Sequence, residues 1–227
     1  MIKNCFIFAR GGSKGIRNKN LMKINRYTLV EHSILFAKKL KIFENIFISS
    51  DSNQILEIGH KRNIKTIKRP KRLSLDNSPE WLAWQHAINY AKKKYGNFDL
   101  FVSLPPTAPL RSKTDILNSI KKIKSCDAVI TYKKSHSNPW FNMVSYKRDN
   151  LKLVNSGKKI FRRQDAPVVF DMTTVAFVLK PDFILNNNSI WDGKVKGTEV
   201  PVERAIDIDD QIDLDMARFL YNDRFKQ

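Results

Sequence analysis

The chain is poor in cysteine, in glycine outside one short stretch, in acidic residues and in long apolar runs, and each shortage excludes something. Two cysteines in 227 residues, Cys5 and Cys126, both in apolar strand-like surroundings with no Cys or His at zinc spacing, exclude a disulfide framework or a zinc site as the organising device. No stretch approaches the roughly 20 apolar residues of a membrane span. The run Cys5–Ala9 is cut at once by Arg10, which argues against a transmembrane helix or secretory signal and for a cytoplasmic protein with no membrane partner. Acids number 22 against 41 Lys and Arg, a net charge of +19. With 42% apolar and 11% aromatic residues spread along the chain, that imbalance does not mean disorder. It admits either a nucleic-acid surface or a site for anionic small molecules set among surface lysines. The lysines fall in triplets such as Lys92-Lys93-Lys94 with no interleaved aromatics, which reads as solvated helix faces and argues against nucleic acid.

What is present alternates. Asn4–Ala9 reads as a buried strand running into Arg10-Gly11-Gly12-Ser13-Lys14-Gly15. Helical spacing follows over 29–40, then strand at 46–48, helix at 55–60, strand at 64–67, helix at 81–94, strand at 100–104, helix at 116–123 and strand at 128–132. This order predicts an α/β fold with a mostly parallel twisted sheet and helices on both faces. Right-handed crossovers then gather the loops after the strands on one edge. The pattern breaks over 135–167, where Asn138-Pro139-Trp140-Phe141 and a hairpin at 146–154 predict an inserted arm in an otherwise single domain of residues 1–227. Trp140, Phe141 and Met143, if exposed there, need a partner surface. A buried strand at 175–179 and an amphipathic helix at 212–221 close the chain.

Three of the eight glycines, Gly11, Gly12 and Gly15, follow the first strand amid Arg10, Lys14, Arg17 and Lys19. Bare backbone amides plus cations suit a polyphosphate. The spacing is neither the dinucleotide fingerprint nor the P-loop, and a glycine-rich turn with solvated lysines has the same composition. In an extended strand Asp207 and Asp209 point one way while Ile206 and Ile208 point the other, and such a pair of hard oxygen ligands suits Mg²⁺. The bland alternative is helix capping, which fits Asp210 best. Arg162-Arg163-Gln164 is either an anion-binding pair or a basic surface patch.

The order of these pieces carries more than any one of them. Ala9-Arg10-Gly11-Gly12-Ser13-Lys14-Gly15 with Lys19-Asn20-Leu21, then Ile48-Ser49-Ser50-Asp51-Ser52, Arg69-Pro70, Pro106-Thr107-Ala108-Pro109-Leu110-Arg111, Arg163-Gln164 and Ile206-Asp207-Ile208-Asp209 together resemble the acylneuraminate (CMP-nonulosonic acid) cytidylyltransferase family over essentially the whole chain. The resemblance implies a Rossmann-like nucleotidyltransferase fold. The implied reaction is attack of the C2 hydroxyl of a sialic-acid-like sugar acid on the α-phosphate of CTP, with Mg²⁺ as cofactor, giving the CMP-sugar and pyrophosphate.

Carried over by motif, Arg10, Lys14, Lys19, Asp207 and Asp209 would be catalytic, the two aspartates as metal ligands. Ala9, Gly11, Gly12, Ser13, Asn20, Arg69 and Asp76 would complete the nucleotide side. Pro105, Phe141, Arg163, Gln164, Thr173 and Thr174 would form the sugar side, with Arg163 on the sugar carboxylate. Segment 135–167 would be a dimerisation arm of a homodimer that reaches into the partner's site. Where sialic-acid members commonly carry Gln, Lys and Asn-Gly-Ala, this chain has Pro105, Phe141 and Thr173-Thr174-Val175. Asn138-Pro139-Trp140-Phe141-Asn142 and Phe170-Asp171-Met172 are more similar to the legionaminic-acid branch. The alternatives are the same reaction on pseudaminic, N-acetylneuraminic or a Kdo-type acid, and, from other classes, a basic nucleic-acid-binding protein or a catalytically silent nucleotide binder.

Overall fold

The structure, a computed structural model, describes residues 1–12, 15–157 and 160–224. In chain order the strands and helices are β1 (Lys3–Phe8), β2 (Lys23–Ile24), β3 (Tyr27–Thr28), α1 (Leu29–Leu40), β4 (Asn45–Ser50), α2 (Asn53–Lys61), β5 (Lys65–Lys68), α3 (Glu80–Tyr95), β6 (Leu100–Ser103), α4 (Lys113–Lys122), β7 (Ala128–Lys134), β8 (Val144–Lys147), β9 (Asn150–Leu153), β10 (Phe170–Leu179), α5 (Pro181–Asn186), β11 (Val195–Glu199) and α6 (Gln211–Arg224). Seven strands form one sheet in the order β11-β7-β10-β6-β1-β4-β5.

Both sheet faces are covered, which is why β1 reads as an unbroken apolar run rather than an alternation. Cys5 and Ile7 face the layer that holds Val30, Ile34, Ile116 and Ile120. Phe6 and Phe8 face the opposite layer, with Trp84, Ala87 and Ile88 of α3. Across β4, β1 and β6 the rings of Phe47, Phe6 and Phe101 stack, with centroids 4.9 and 4.8 Å from Phe6. Helix starts are set locally: Thr28 with Glu31, and Ser112 with Asp115, close capping boxes on α1 and α4.

The expected parallel sheet is interrupted once. β10 lies antiparallel between β6 and β7, while β11 runs parallel to β7. The reason is topological: the chain leaves β7 at the edge where the parallel strands end, makes the arm, and re-enters from that same edge, so the next strand must run back. β10 is also longer than its sequence pattern, and β11, with Lys196, Gly197 and Glu199, is too polar to have been legible as a strand.

Segment 135–167 leaves the sheet between β7 and β10 and carries the β8–β9 hairpin; of Trp140, Phe141 and Met143, Met143 is exposed, at 41%. Trp140 and Phe141 are half-buried, in a turn where the Asn138 side chain accepts from Trp140 N–H at 3.0 Å and donates to Pro167 O at 2.8 Å. Tyr146 at 75%, Phe161 at 83% and Val168 at 74% stand in the open instead.

One buried ion pair ties the segment before α6 to α4. Arg204 grips Asp115 through two hydrogen bonds of 2.8 and 3.1 Å, and Asp115 is only 2% exposed. Burial alone would raise the Asp115 pKa, but Arg204 and Ser112 outweigh it and hold the carboxyl below its usual range. A depressed native pKa stabilises above the unfolded value and is lost as pH falls through the native one. Arg204→Met is therefore expected to cost about 3 kcal/mol near neutrality, since it strands a buried carboxylate. The deficit should shrink as pH falls below the ordinary Asp value of about 3.9; thermal melts from neutrality into acid check it, and an unchanged neutral melt refutes it.

Candidate active site

The loops at the carboxyl ends of β1, β5 and β6 meet the start of β10 around a cleft of about 710 Å³. Arg10, Gly15, Lys19 and Asn20 line one side, Arg69, Leu73, Ser74, Leu75, Asp76, Ser78 and Glu80 another, and Pro105, Pro106, Thr107, Met172, Thr174 and Asp209 the rest. Of the residues expected from sequence, the fold thus brings Arg10, Lys19, Asn20, Arg69, Asp76, Pro105, Thr174 and Asp209 into one cleft. Ser13 and Lys14 lie outside the described residues.

Each cation is held by identifiable neighbours. Arg69 is 6% exposed, donates to Ser49 Oγ at 3.2 Å and Ser49 O at 2.6 Å, and lies 5.6 Å above the Phe8 ring. Its burial lowers its pKa, and the charges of Glu80 and Asp51 oppose that shift. Arg10 pairs with Asp76 at 2.5 Å across the cleft mouth, and Lys19 with Asp209 at 2.7 Å. These exposed pairs are weak, so an incoming polyphosphate can take either cation. Asn20, 7% exposed, donates to Arg10 O at 3.0 Å, and Asp51 accepts from Gly11 N–H at 2.9 Å. Ala9 is buried, and its N–H extends the ladder to Ser49 O at 3.1 Å. Gly11 and Gly12 carry the chain out of the sheet beside it.

Gly15 explains one glycine in physical terms. A Cβ there would stand 2.1 Å from the Asp209 carbonyl oxygen. The glycine loop therefore packs backbone to backbone on the aspartate segment. Residues 205–209 are not a ladder strand, contrary to the sequence reading. They are held instead by Ile208 N–H donating to Thr107 O at 2.9 Å, with Ile208 fully buried, and by Asp213, which accepts from Asp209 and Asp210 N–H at 2.9 and 3.1 Å. Asp210 accepts from Asp213 N–H at 2.9 Å, the capping task expected of it. Asp209 faces the cleft, and Asp207 is half-buried beside it, where its charge reaches Glu80 and Arg111.

The residues expected to form a sugar side divide. The β10–β7 register slips between Thr173 and Phe177. The gap is filled by Thr131 Oγ1, which accepts from Ala176 N–H at 3.2 Å and from the Thr173 hydroxyl at 2.8 Å. Thr173 is thus turned inward and 4% exposed, while Thr174 faces the cleft. Phe141, Arg163 and Gln164 are absent from this cleft. Arg163 donates to His136 O at 3.1 Å, sits 5.9 Å from the Phe141 ring, and with Gln164 lines a separate hollow of about 260 Å³ at the arm's base. The sequence reading missed Ser74, Ser78 and Glu80. The hydroxyls of Ser74, Ser78 and Thr174 are buried with no hydrogen-bond partner among the described residues. Serines in a polar loop give no sequence signal; only their enclosure marks them as groups left for a ligand.

One buried and two half-buried cations, a glycine loop and a carboxylate segment at the carboxyl edge of an α/β sheet can neutralise and orient a polyphosphate. Asp207 and Asp209 offer hard carboxylate oxygens, and among the described residues no group of three or more His, Cys, Asp or Glu side chains forms a cation site. Two carboxylates completed by water and phosphate oxygens are what Mg²⁺ ordinarily uses, so the donor set fits it.

A family model described as cytidylyltransferase matches residues 4–182. The chain is 33% identical to the post-translational flagellin modification protein B of Campylobacter coli over 225 residues, covering 97% of this chain and 95% of that one. It is 35% identical to the CMP-N,N'-diacetyllegionaminic acid synthase of Campylobacter jejuni over 222 residues, 95% and 93% of the two chains. Among solved structures, CMP:2-keto-3-deoxy-manno-octonic acid synthetase complexed with CTP superposes with a TM-score of 0.69 at 12% identity, over 98% of this chain and 99% of that one.

Proposed function

Because this chain belongs to the cytidylyltransferase family, we propose that it transfers the cytidylyl group of CTP to a nonulosonic acid, legionaminic acid first among them, releasing pyrophosphate. The observation that carries the reading is the convergence of Arg10, Lys19, Arg69 and Asp209 on one cleft beside a glycine loop. Arg10 and Lys19 would leave Asp76 and Asp209 to hold the triphosphate, and Asn20 and Arg69 would meet the cytosine. Asp207 and Asp209 would hold Mg²⁺, which when bound supplies positive charge to the triphosphate. The acid's C2 hydroxyl oxygen bonds to the α-phosphorus as the bond to the β-phosphate oxygen breaks, and the hydroxyl proton leaves to solvent. Positioning and charge neutralisation suffice for such a transfer, with no covalent enzyme intermediate. Pyrophosphate release with CTP, Mg²⁺ and a panel of sugar acids tests it; no release with any acid refutes it.

The sugar assignment rests on what the cleft offers. Pro105, Pro106 and Met172 line the cleft and would form its sugar side. Legionaminic acid is deoxygenated at C9 and carries a methyl there, where N-acetylneuraminate has a hydroxyl. An apolar wall discriminates against an added hydroxyl only by roughly a hundredfold. Legionaminic acid is therefore expected to give the higher specificity constant, by up to that factor, in the same assay. Equal constants would remove these residues from the pocket.

The arm 135–167 would join two copies. Tyr146, Leu151 and Phe161 leave apolar area in the open, and Phe141, Arg163 and Gln164, remote from their own cleft, would serve that of the second copy. Light scattering is expected to give a dimer, and replacing 137–162 by a short linker to give an inactive monomer. A fully active wild-type monomer at micromolar concentration refutes the shared site.

A further inference from the structure

Behind the cleft lies a cation that none of the roles above uses. Arg111, at the end of the loop after β6, is 5% exposed, and its hydrogen-bond acceptors among the described residues are neutral oxygens. One guanidinium nitrogen donates to Ser33 Oγ on α1 at 2.9 Å, the other to Pro105 O, and Ser33 Oγ itself reaches Pro105 O at 3.3 Å. Nε is buried with no partner among the described residues. The Phe36 ring centroid is 5.9 Å away.

Burying a cation without a hydrogen-bonded carboxylate is costly. Burial pushes the Arg111 pKa down to about 10, against the opposing charges of Asp115 and Asp207 among others. The planar guanidinium can span Ser33 and Pro105 at once, which an ammonium on a flexible stem cannot do with the same geometry.

What it grips is the loop that lines the cleft and bonds to the aspartate segment. Pro105 lines the cleft. Two residues on, Thr107 O accepts from Ile208 N–H at 2.9 Å, between Asp207 and Asp209. The loop from Pro105 to Thr107 is thus bound at one end to Arg111 and at the other to the aspartate segment. The nucleotide cations are anchored elsewhere: Arg69 on Ser49, Arg10 on Asp76.

We propose that Arg111, seated by Ser33, is a positioning residue that holds the Pro105–Thr107 loop so that the sugar acid and the Asp207–Asp209 segment stay in register for transfer. The inference rests on the cytidylyl-transfer reading above. It separates two properties that a merely structural arginine would lose together, alignment of the acid and affinity for CTP.

The test uses the full chain as wild type, Arg111→Lys, Ser33→Ala and the double variant. The readouts are kcat and KM for both substrates by pyrophosphate release, the CTP Kd by calorimetry without sugar acid, and thermal melts. Arg111→Lys keeps a cation but loses the two-pronged grip. Its kcat/KM for the acid is expected to fall on the order of 10- to 100-fold, the scale of a misplacement near 1 Å, with the CTP Kd within about twofold of wild type. Ser33→Ala should lose a few-fold in the same parameter, and the double variant should be no worse than Arg111→Lys, because Ser33 acts through Arg111. Wild-type kcat/KM in Arg111→Lys, or a CTP Kd weakened as much as kcat/KM, overturns the inference. If Arg111→Lys shows no cooperative melt, Ser33→Ala decides alone: a selective loss supports the proposal, and wild-type behaviour overturns it. A wild type that releases no pyrophosphate overturns the functional reading and this inference with it, whereas an active wild type with indifferent variants overturns the inference alone.

Discussion

An Asp207→Asn chain is expected to fold, to bind CTP, and to turn over roughly a thousandfold more slowly than wild type. The substitution keeps the side chain's shape and removes one of two carboxylate charges. A Mg²⁺ that neutralises a triphosphate in the transition state contributes several kcal/mol, and each 1.4 kcal/mol is tenfold in rate. Folding should be spared, because the segment is held by other contacts: Ile208 on Thr107, Arg204 on Asp115 and Asp213 on Asp209. Pyrophosphate release against Mg²⁺ concentration, with a melt as control, measures it. Near-normal Mg²⁺-dependent turnover would reduce the pair to a scaffold for α6. Asp209→Asn carries a second effect, since it also loosens Lys19, whose Nζ lies 2.7 Å from Asp209 Oδ1.

Gly15→Ala should cost at least about a hundredfold in turnover. The added methyl would lie 2.1 Å from a carbonyl oxygen and 3.3 Å from its carbon, both backbone atoms of Asp209. A side chain could swing away, but a main chain pinned at Ile208 and at Asp213 cannot, so either the glycine loop or the aspartate segment shifts by about 1 Å. Displacements on that scale near a reacting centre cost about 10² in rate. Because the loop also presents Lys19 to the cleft, the KM for CTP should rise as kcat falls. Steady-state kinetics at several Mg²⁺ concentrations check it. Wild-type constants would mean that Gly15 does not touch Asp209 in solution.

Gly15→Ala probes a contact between two segments, and that contact is not visible from either stretch of sequence. The glycines and cations after β1 were legible as a candidate anion loop, and the alternating aspartates as a candidate oxygen-ligand pair, because both signals are local: bare amides in one case, alternation about Ile208 in the other. That Gly15 rests on Asp209, some 190 residues away in the chain, follows only from the crossover of β1 and the return of the chain after β11.

The alternating apolar segments by themselves determined the α/β class, the position of most strands and helices, and the edge on which the loops gather. Periodicity and capping are short-range, and a strand buried on both faces announces itself as a continuous apolar run. Tertiary structure alone decided three things. It set β10 antiparallel, because the arm returns the chain to the edge it left. It turned Thr174 rather than Thr173 into the cleft, because a register slip filled by the Thr131 hydroxyl re-aims the backbone. And it set Arg163 beside Phe141 at the base of segment 135–167, away from the cleft of their own chain. Each of these depends on which distant backbone groups find hydrogen-bond partners, a long-range condition that no window of sequence contains.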